Sequence, residues 1–170
     1  MAELTQQERL QPSLLDRLMD NEPDITQESR SQRVLSMKQL REGVIRDLAW
    51  LLNTGNLQEV QDIDNYDEVL SSVVNYGTRS LTGLTLSNLK TGEVEATIRQ
   101  SILKYEPRIN SDTVKVKVNA DKNAMGINAV QFEIEGELWA HPIPIQLYMK
   151  TDIDLETGGV TIKEENGPRG

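Results

Sequence analysis

The stretch Thr91–Val118, TGEVEATIRQSILKYEPRINSDTVKVKV, contains a helix, a corner and a strand in succession. Its first half repeats apolar residues every three or four positions, which indicates a helix that buries one face. These residues are Val94, Ile98, Ile102 and Tyr105. Pro107 ends this helix, because proline has no N–H and restricts the residue before it. From Val114 the period changes to two, with valines on one face and lysines on the other, which is typical of a half-buried strand. The triplet Glu106–Pro107–Arg108 therefore lies at a fixed corner, where we expect a charged pair to organise a contact.

The composition limits the classes of protein to which the chain can belong. Its 170 residues suit one domain with a real core, which must rest on Leu, Ile and Val because only one Phe and two Trp are present. With 27 acidic and 18 basic residues the formal charge is −9, which argues against nonspecific nucleic-acid binding. The absence of cysteine excludes disulfides and thiolate metal sites. No signal-like segment and no apolar run of about 20 residues is present, so we predict a cytoplasmic protein without membrane insertion.

The chain divides into an arm, a domain and a tail. Residues 1–32 are polar apart from Leu14, Leu15 and Leu18, which are spaced for a short amphipathic helix. Because so short a helix is marginal alone in water, we expect it to dock, either on its own domain or on a partner. Residues 33–163 form the predicted domain, and residues 164–170 form a flexible tail without apolar pattern.

Two further helices are predicted before the quoted stretch. From Val34 to Leu52 apolar residues repeat every four positions, and Asn53–Gly55 supplies a stop. A second helix is predicted over Tyr66–Tyr76, with Asn65 as N-cap and Gly77 after its end. The leucine-containing stretch Leu81–Thr91 is expected to be an ordered loop with a strand fragment.

Alternating strands follow the quoted stretch. They are predicted at Val130–Leu138, at Ile145–Leu155 and, after the turn Glu156–Gly159, at Val160–Ile162. The lysines of the first strand suit the glutamates of the second, since opposite charges across a ladder stabilise the pairing. A hairpin loop over Asn119–Asn128 would join them. The sequence therefore predicts an α+β single domain, in which N-terminal helices precede a small, mostly antiparallel or mixed sheet.

Four ordered motifs resemble one family. They are Ser13–Leu18 (SLLDRL), Ile45–Leu48 with Leu51–Thr54 (IRDL and LLNT), Val73–Gly77 (VVNYG) and the YEPRI that begins at Tyr105. Together they resemble TssE, the small baseplate wedge subunit of type VI secretion, and its counterpart in contractile phages. The resemblance extends over roughly residues 13–155.

The resemblance implies a non-enzymatic structural subunit of a baseplate wedge that helps to dock and nucleate the contractile sheath. Its implied partners are other wedge proteins (TssF-, TssG- and TssK-like) and sheath subunits (TssB/TssC-like), at a baseplate docked to the inner membrane. Glu106, Pro107 and Arg108 would face the neighbouring wedge proteins, with Leu14, Leu15 and Leu18 as a second partner-binding surface. The guanidinium of Arg108 suits partner carboxylates or helix carbonyls, while an internal ion pair with Glu106 is the alternative.

The implied family fold also resembles the sheath protein's strand-exchanging fold, so strands of the first sheath ring would extend an exposed sheet edge. The long alternating run Ile145–Leu155 is predicted to be that edge. Thr151 falls on its inward-facing side.

The family's association with lysozymes suggests the alternative function, a glycosidase that acts on peptidoglycan. Such an enzyme needs two carboxylates flanking the scissile bond, about 5–10 Å apart. Glu93, Glu95 and Glu106 are the candidates. The chain has few aromatic residues to hold sugar rings, and we predict that it is not an enzyme.

No metal or cofactor site is predicted. Asp121–Gly126 begins like a calcium loop, but Phe132 occupies the position that requires a bidentate glutamate. Asp152 and Asp154 share one strand face, which is expected to be the solvated one. His141 is the only histidine and lies between prolines, and Lys90–Thr91 lacks the glycine spacing of a phosphate loop.

Overall fold

A computed structural model describes residues 13–18, 37–82, 90–119, 129–139 and 144–164. The helices are α1 (Leu14–Leu18), α2 (Met37–Leu52), α3 (Asp67–Ser71) and α4 (Thr91–Tyr105). The strands are β1 (Lys115–Asn119), β2 (Ala129–Leu138), β3 (Ile145–Asp154) and β4 (Val160–Glu164). The α+β prediction is confirmed, and α4 and β1 occupy the quoted stretch with the corner between them.

The four strands form one antiparallel sheet in the order β1-β2-β3-β4. The predicted charge pairing between the first two strands is confirmed, because Lys115 lies opposite Glu135 and Lys117 opposite Glu133. Each such pair places opposite charges side by side on one face of the ladder, which holds the register in place.

Helices α2 and α4 cover one face of the sheet. The apolar row of β2 is fully buried there, with Phe132 at its centre, and it packs against Leu48 of α2 and Ile102 of α4. The other face of β2 carries the glutamates and stays partly exposed. The molecule is thus two layers deep around one core, and the corner after α4 lies at the rim where helix and sheet layers meet.

The structure corrects the predicted sheet edge. β3 is a central strand, because it pairs with β2 on one side and with β4 on the other. Thr151 lies opposite Phe132 and Ile162 and is fully buried, so a proline there would disrupt the fold and would not test a partner contact. The edge strands of the sheet are β1 and β4. The prediction failed because the short last strand was not expected to pair with the outer side of β3.

The predicted second helix is also wrong as a single element. α3 ends at Ser71, and Val73–Asn75 forms a separate 3₁₀ turn. Ser72 adopts an extended conformation, and its hydroxyl accepts the N–H of Val74, so a local side-chain bond replaces helix continuation. The N-cap is Tyr66 and not Asn65, and its side chain makes no capping bond.

Gly77, predicted at the end of that helix, has a structural reason to be glycine. Its φ of 124° lies in the left-handed region, and a Cβ there would approach the carbonyl oxygen of Thr54 to 2.3 Å. The close approach lets Thr78 donate its N–H to that same carbonyl at 2.8 Å. The end of α2 is thereby tied to the segment that precedes α4.

Several predictions fall on residues outside the described ranges. These are most of the arm, the start of the helix at Val34, most of the loop before α4, the hairpin loop with its calcium-like residues, His141, and the tail after Glu164. Glu164 itself, which was assigned to the tail, is the last residue of β4.

Candidate partner-binding site

The corner after α4 is fixed by main-chain bonds on both sides. Glu106 donates its N–H to Ile102, the last turn of α4, at 2.9 Å. Beyond Pro107, the carbonyl of Arg108 accepts the N–H of Trp139 at 2.7 Å, just past the end of β2. Ile109 is buried in the core. Pro107 is left exposed between two anchored neighbours.

Glu106 and Arg108 form an internal ion pair, the alternative that the sequence left open. The carboxylate of Glu106 is only 4% exposed and accepts Nε and Nη2 of Arg108 at 2.7 and 2.5 Å. It also accepts the main-chain N–H of Arg108 at 3.1 Å. Nη2 reaches further, to Asp47 of α2, at 2.6 Å. Arg108 therefore joins the corner to α2 from within the domain.

The charges continue from Asp47 to the N-terminal helix. Nε of Arg46 donates to Asp47 at 2.9 Å, and its Nη1 donates to Asp16 of α1 at 2.5 Å. The hydroxyl of Ser13 donates to Asp16 at 2.7 Å. Acidic and basic groups thus alternate without interruption from the corner to α1. We call the five residues that carry them the charged chain: Glu106, Arg108, Asp47, Arg46 and Asp16.

The electrostatics of this region favour the charged forms of Arg108, Arg46 and Asp16. Burial disfavours the charge on Arg108, but bonds and charges of Glu106 and Asp47 outweigh it, so the pKa of Arg108 is raised. The hydrogen bond between Arg46 and Asp16 is the main cause that raises the pKa of Arg46 and lowers the pKa of Asp16.

Helix α1 uses its polar side to attach and presents its leucines outward. Leu14 and Leu18 are 71% and 73% exposed, and Leu15 is 41% exposed. Leu15 borders a cleft of about 280 Å³ between α1, α2 and the corner. Trp50, which lies beneath the guanidinium of Arg46 at 5.0 Å, lines the same cleft. Helix α1 thus contacts the domain through Asp16, while Leu14 and Leu18 remain exposed.

Two tyrosines pack against each other immediately before the corner. The rings of Tyr76 and Tyr105 meet edge to face with centroids 5.1 Å apart. The hydroxyl of Tyr105 donates to the carbonyl of Asn75 at 2.5 Å, which fixes the end of α4 against the 3₁₀ turn. All four motifs that carry the family resemblance therefore meet or adjoin at this corner.

The two edges of the sheet differ in how helix side chains cover them. On β1, the N–H of Val118 donates to Glu95 at 2.8 Å, and the carbonyl of Val114 accepts Nε of Arg99 at 3.1 Å. These two groups of α4 occupy the outer edge of the strand on either side of Val116. On β4, Asn53 bonds both main-chain groups of Val160, the first residue of the strand.

The carboxylates considered for glycoside hydrolysis all hold structural contacts. Glu106 is bound to Arg108 as described, and Glu95 accepts the N–H of Val118. Glu93 is exposed and pairs with Lys90 at 2.7 Å.

Asp154, which the sequence places on a strand face with Asp152, also has a structural role. It accepts the N–H groups of Glu156 and Thr157 in the turn before β4, which lowers its pKa.

The structure also bears on metal sites and on membrane-spanning helices. Within the described ranges, no group of three or more His, Cys, Asp or Glu is arranged to hold a metal ion. In the same part of the chain, no helix combines the length and the apolar character needed to cross a membrane.

The sequence predicts the corner as a candidate site but does not predict which other residues of the chain contact it. Asp47, Arg46 and Asp16 stand out in the sequence only as parts of family motifs, since nothing in their spacing links them to the corner. Asn53 stands out only as part of the LLNT motif and of a helix stop. The signal that was available is that each lies within a motif shared with the same family.

Comparisons with known proteins bear on the identity of the chain. A search of curated proteins and a search of solved structures each found no significant match. The family model described as baseplate wedge protein gp25 matches residues 38–143, which is more than half of the chain. That range contains all of α2 except its first residue, together with the corner and β2. The chain therefore belongs to the baseplate wedge gp25 family, the TssE-type family that its motifs resemble.

Proposed function

We propose that this chain is a non-enzymatic structural subunit of a type VI secretion baseplate wedge, which helps to assemble the wedge and to dock the contractile sheath. The observation that carries the proposal is the leucine face of α1, held on the domain by the charged chain beside the corner. A baseplate subunit of the gp25 family needs surfaces that other baseplate components recognise, and these leucines form an exposed apolar cluster within one of the family motifs.

Leu14, Leu15 and Leu18 are proposed to bind another wedge protein (TssF-, TssG- or TssK-like). Exposed leucines on one side of a helix suit an apolar groove or a second helix. Docking through Asp16 orders the helix before a partner arrives, which lowers the entropic cost of binding. Both possibilities for the arm are thereby combined, because its polar side contacts its own domain and its apolar side is left for a partner.

Glu106, Pro107 and Arg108 are proposed to shape the platform on which that partner rests. The guanidinium of Arg108 is committed to Glu106 and Asp47 through Nε and Nη2. Arg108 therefore contributes to binding indirectly, by fixing the conformation of the corner. Exposed Pro107 is the residue of the corner that contacts a neighbouring protein. Such a rigid, preformed surface favours assembly without rearrangement.

Sheath docking is proposed to use the outer edge of β4. An exposed edge is a template for an added strand. The β1 edge is bonded at two positions by Glu95 and Arg99, whereas within the described residues the outward main-chain groups of β4 are bonded by a side chain only at Val160. A TssB/TssC-like strand would therefore add on the β4 side.

The proposed place of action is the cytoplasmic side of the inner membrane, where the baseplate is docked through other components. The proposal includes no nucleic acid, no cofactor and no membrane insertion by the chain itself.

Co-purification with TssF-, TssG- and TssK-like wedge proteins from the same organism tests the proposal. The full chain should copurify with them, and the Leu14→Asp, Leu18→Asp double variant should not, while its melting temperature stays that of the wild type. A matched control is Val60→Asp, a change of equal chemistry at an exposed apolar residue away from the corner. Normal copurification of the leucine double variant would remove α1 from the interface.

Incubation with peptidoglycan separates the proposal from the glycosidase alternative. No soluble muropeptides should appear above a buffer control. Sustained release that is lost in Glu93→Gln, Glu95→Gln or Glu106→Gln variants would establish the enzyme instead.

A further inference from the structure

Asn53 occupies one position on the outer edge of β4. Its Oδ1 accepts the N–H of Val160 at 2.9 Å, and its Nδ2 donates to the carbonyl of Val160 at 3.0 Å. A side-chain amide offers the same donor and acceptor as a peptide group. Asn53 therefore makes the pair of bonds that a residue of a neighbouring strand would make.

The ladder between β3 and β4 shows that these bonds are on the outer side. The N–H of Asp154 donates to the carbonyl of Gly159, so that pair is hydrogen-bonded within the sheet. Hydrogen-bonded pairs alternate along an antiparallel ladder, and Val160 and Ile162 therefore direct their main-chain groups away from β3. Among the described residues, no hydrogen bond is recorded to the outward groups of Ile162.

The side chain of Asn53 is held in place by its own helix. Its Nδ2 also donates to the carbonyl of Ala49 at 2.7 Å, and its main-chain N–H donates to the same carbonyl at 3.1 Å. The neighbouring Leu52 is buried in the core. Since the amide is fixed at the end of α2, it does not swing away freely when another strand approaches.

We propose that Asn53 is a stop that determines where an incoming strand begins on β4. The strand pairs with β4 from Ile162 to Glu164, and it is excluded from Val160. This inference rests on the proposed docking of a partner strand at this edge. It adds the residue that sets the register, and a shift of one residue would turn every side chain of the added strand to the wrong face.

The chemistry of the incoming strand follows from β4. Val160 and Ile162 pack against the core, while Thr161 and Lys163 are exposed on the other face. The occupant is thus an extended segment with alternating apolar residues, which continue the row over the core. An acidic residue on its other face would lie beside Lys163, which itself pairs with Asp152 at 3.4 Å.

Amide hydrogen exchange on the full chain tests the stop, first without any partner. In the free wild-type protein, we expect the N–H of Val160 to exchange at least about tenfold more slowly than in Asn53→Ala, with Ile162 fast in both. Asn53→Asp keeps the acceptor but loses the donor, so it should retain slow exchange at Val160. If the alanine variant does not fold, Asn53→Leu, which also lacks the acceptor, takes its place in the comparison. Equal exchange at Val160 in all three proteins would overturn the assignment of Asn53.

The same measurement in complex with TssB/TssC-like sheath subunits from the same organism tests the register. Binding should slow Ile162 in the wild type and leave Val160 unchanged, whereas in Asn53→Ala it should slow both residues. Slowing of Ile162 alone in Asn53→Ala would overturn the stop while leaving sheath docking intact. Slowing of neither residue in any variant would refute strand addition at β4, and the stop with it.

Discussion

Removing the side chain of Arg108 is expected to destabilise the folded chain substantially. Glu106 is 4% exposed and receives two side-chain bonds from Arg108, so Arg108→Ala leaves a buried carboxylate without its counter-ion. Breaking a buried ion pair from one side costs about 3–5 kcal/mol. Arg108 and Asp47 are themselves 26% and 22% exposed, so water relieves part of this cost and we expect about 2–4 kcal/mol.

Urea unfolding at neutral pH measures this change, and thermal melting provides a second reading. A loss of that size corresponds to a melting temperature lower by about 5–15 °C in a domain of this size. Glu106→Gln combined with Arg108→Ala should be less destabilised than the sum of the two single variants, with a coupling of about 1–3 kcal/mol. Glu93→Gln is the control, because its partner Lys90 lies at the surface and no measurable change in the urea midpoint is expected.

An Arg108→Ala protein with unchanged stability would refute the reasoning. So would purely additive effects of the Glu106 and Arg108 substitutions, because an internal pair must be coupled. In either case the guanidinium would be free for a partner, as the sequence suggested at first.

Three further predictions follow from particular side chains. Thr151→Val should raise the free energy of unfolding by about 1 kcal/mol in urea titration, because the hydroxyl of Thr151 is buried without a partner among the described residues; a loss of stability would show that it is satisfied. Gly77→Ala should lower the urea midpoint strongly, since its Cβ would clash with the carbonyl of Thr54; a wild-type midpoint would contradict the close approach. The pKa of Asp16 is lowered in the folded chain, so its contact with Arg46 stabilises α1 at neutral pH and is lost as the pH falls through a value below 3.8. Fluorescence of a dye on α1 should report this release, and Asp16→Asn should show the released signal at neutral pH.

The sequence predicted most of the fold because its local patterns are strong. The stripe of α4, the proline after it and the alternation of β1 each specify one structure, and the lysines and glutamates of β1 and β2 specify their pairing. The helix at Tyr66–Tyr76 failed because its stripe is short and the hydroxyl of Ser72 offers the backbone another partner.

The order of the strands was not available from periodicity. β3 and β4 both alternate, and alternation does not show which strand has a neighbour on each side. β3 is central because one of its edges pairs with β2 and the other with β4, which depends on contacts between distant segments.

Only the part of the candidate site that is local in sequence could be predicted. The corner at Glu106–Arg108 is local and was visible, whereas Asp47, Arg46 and Asp16 reach it only after folding. The bonds of Asn53 to Val160 likewise join residues 107 positions apart, and no local pattern reports them.

Counting sheaths that start on purified wedge complexes tests the central claim most directly. Wedge and sheath proteins from the same organism are mixed with the wild-type chain, with no chain, or with Ile162→Pro, and the assemblies are counted by electron microscopy. Proline at Ile162 removes an outward N–H without removing a bond to β3, as an edge strand tolerates. We predict that sheaths start only on wedges that contain the chain, and that Ile162→Pro enters the wedge but starts few sheaths. Equal numbers of sheaths with and without the chain would contradict the account.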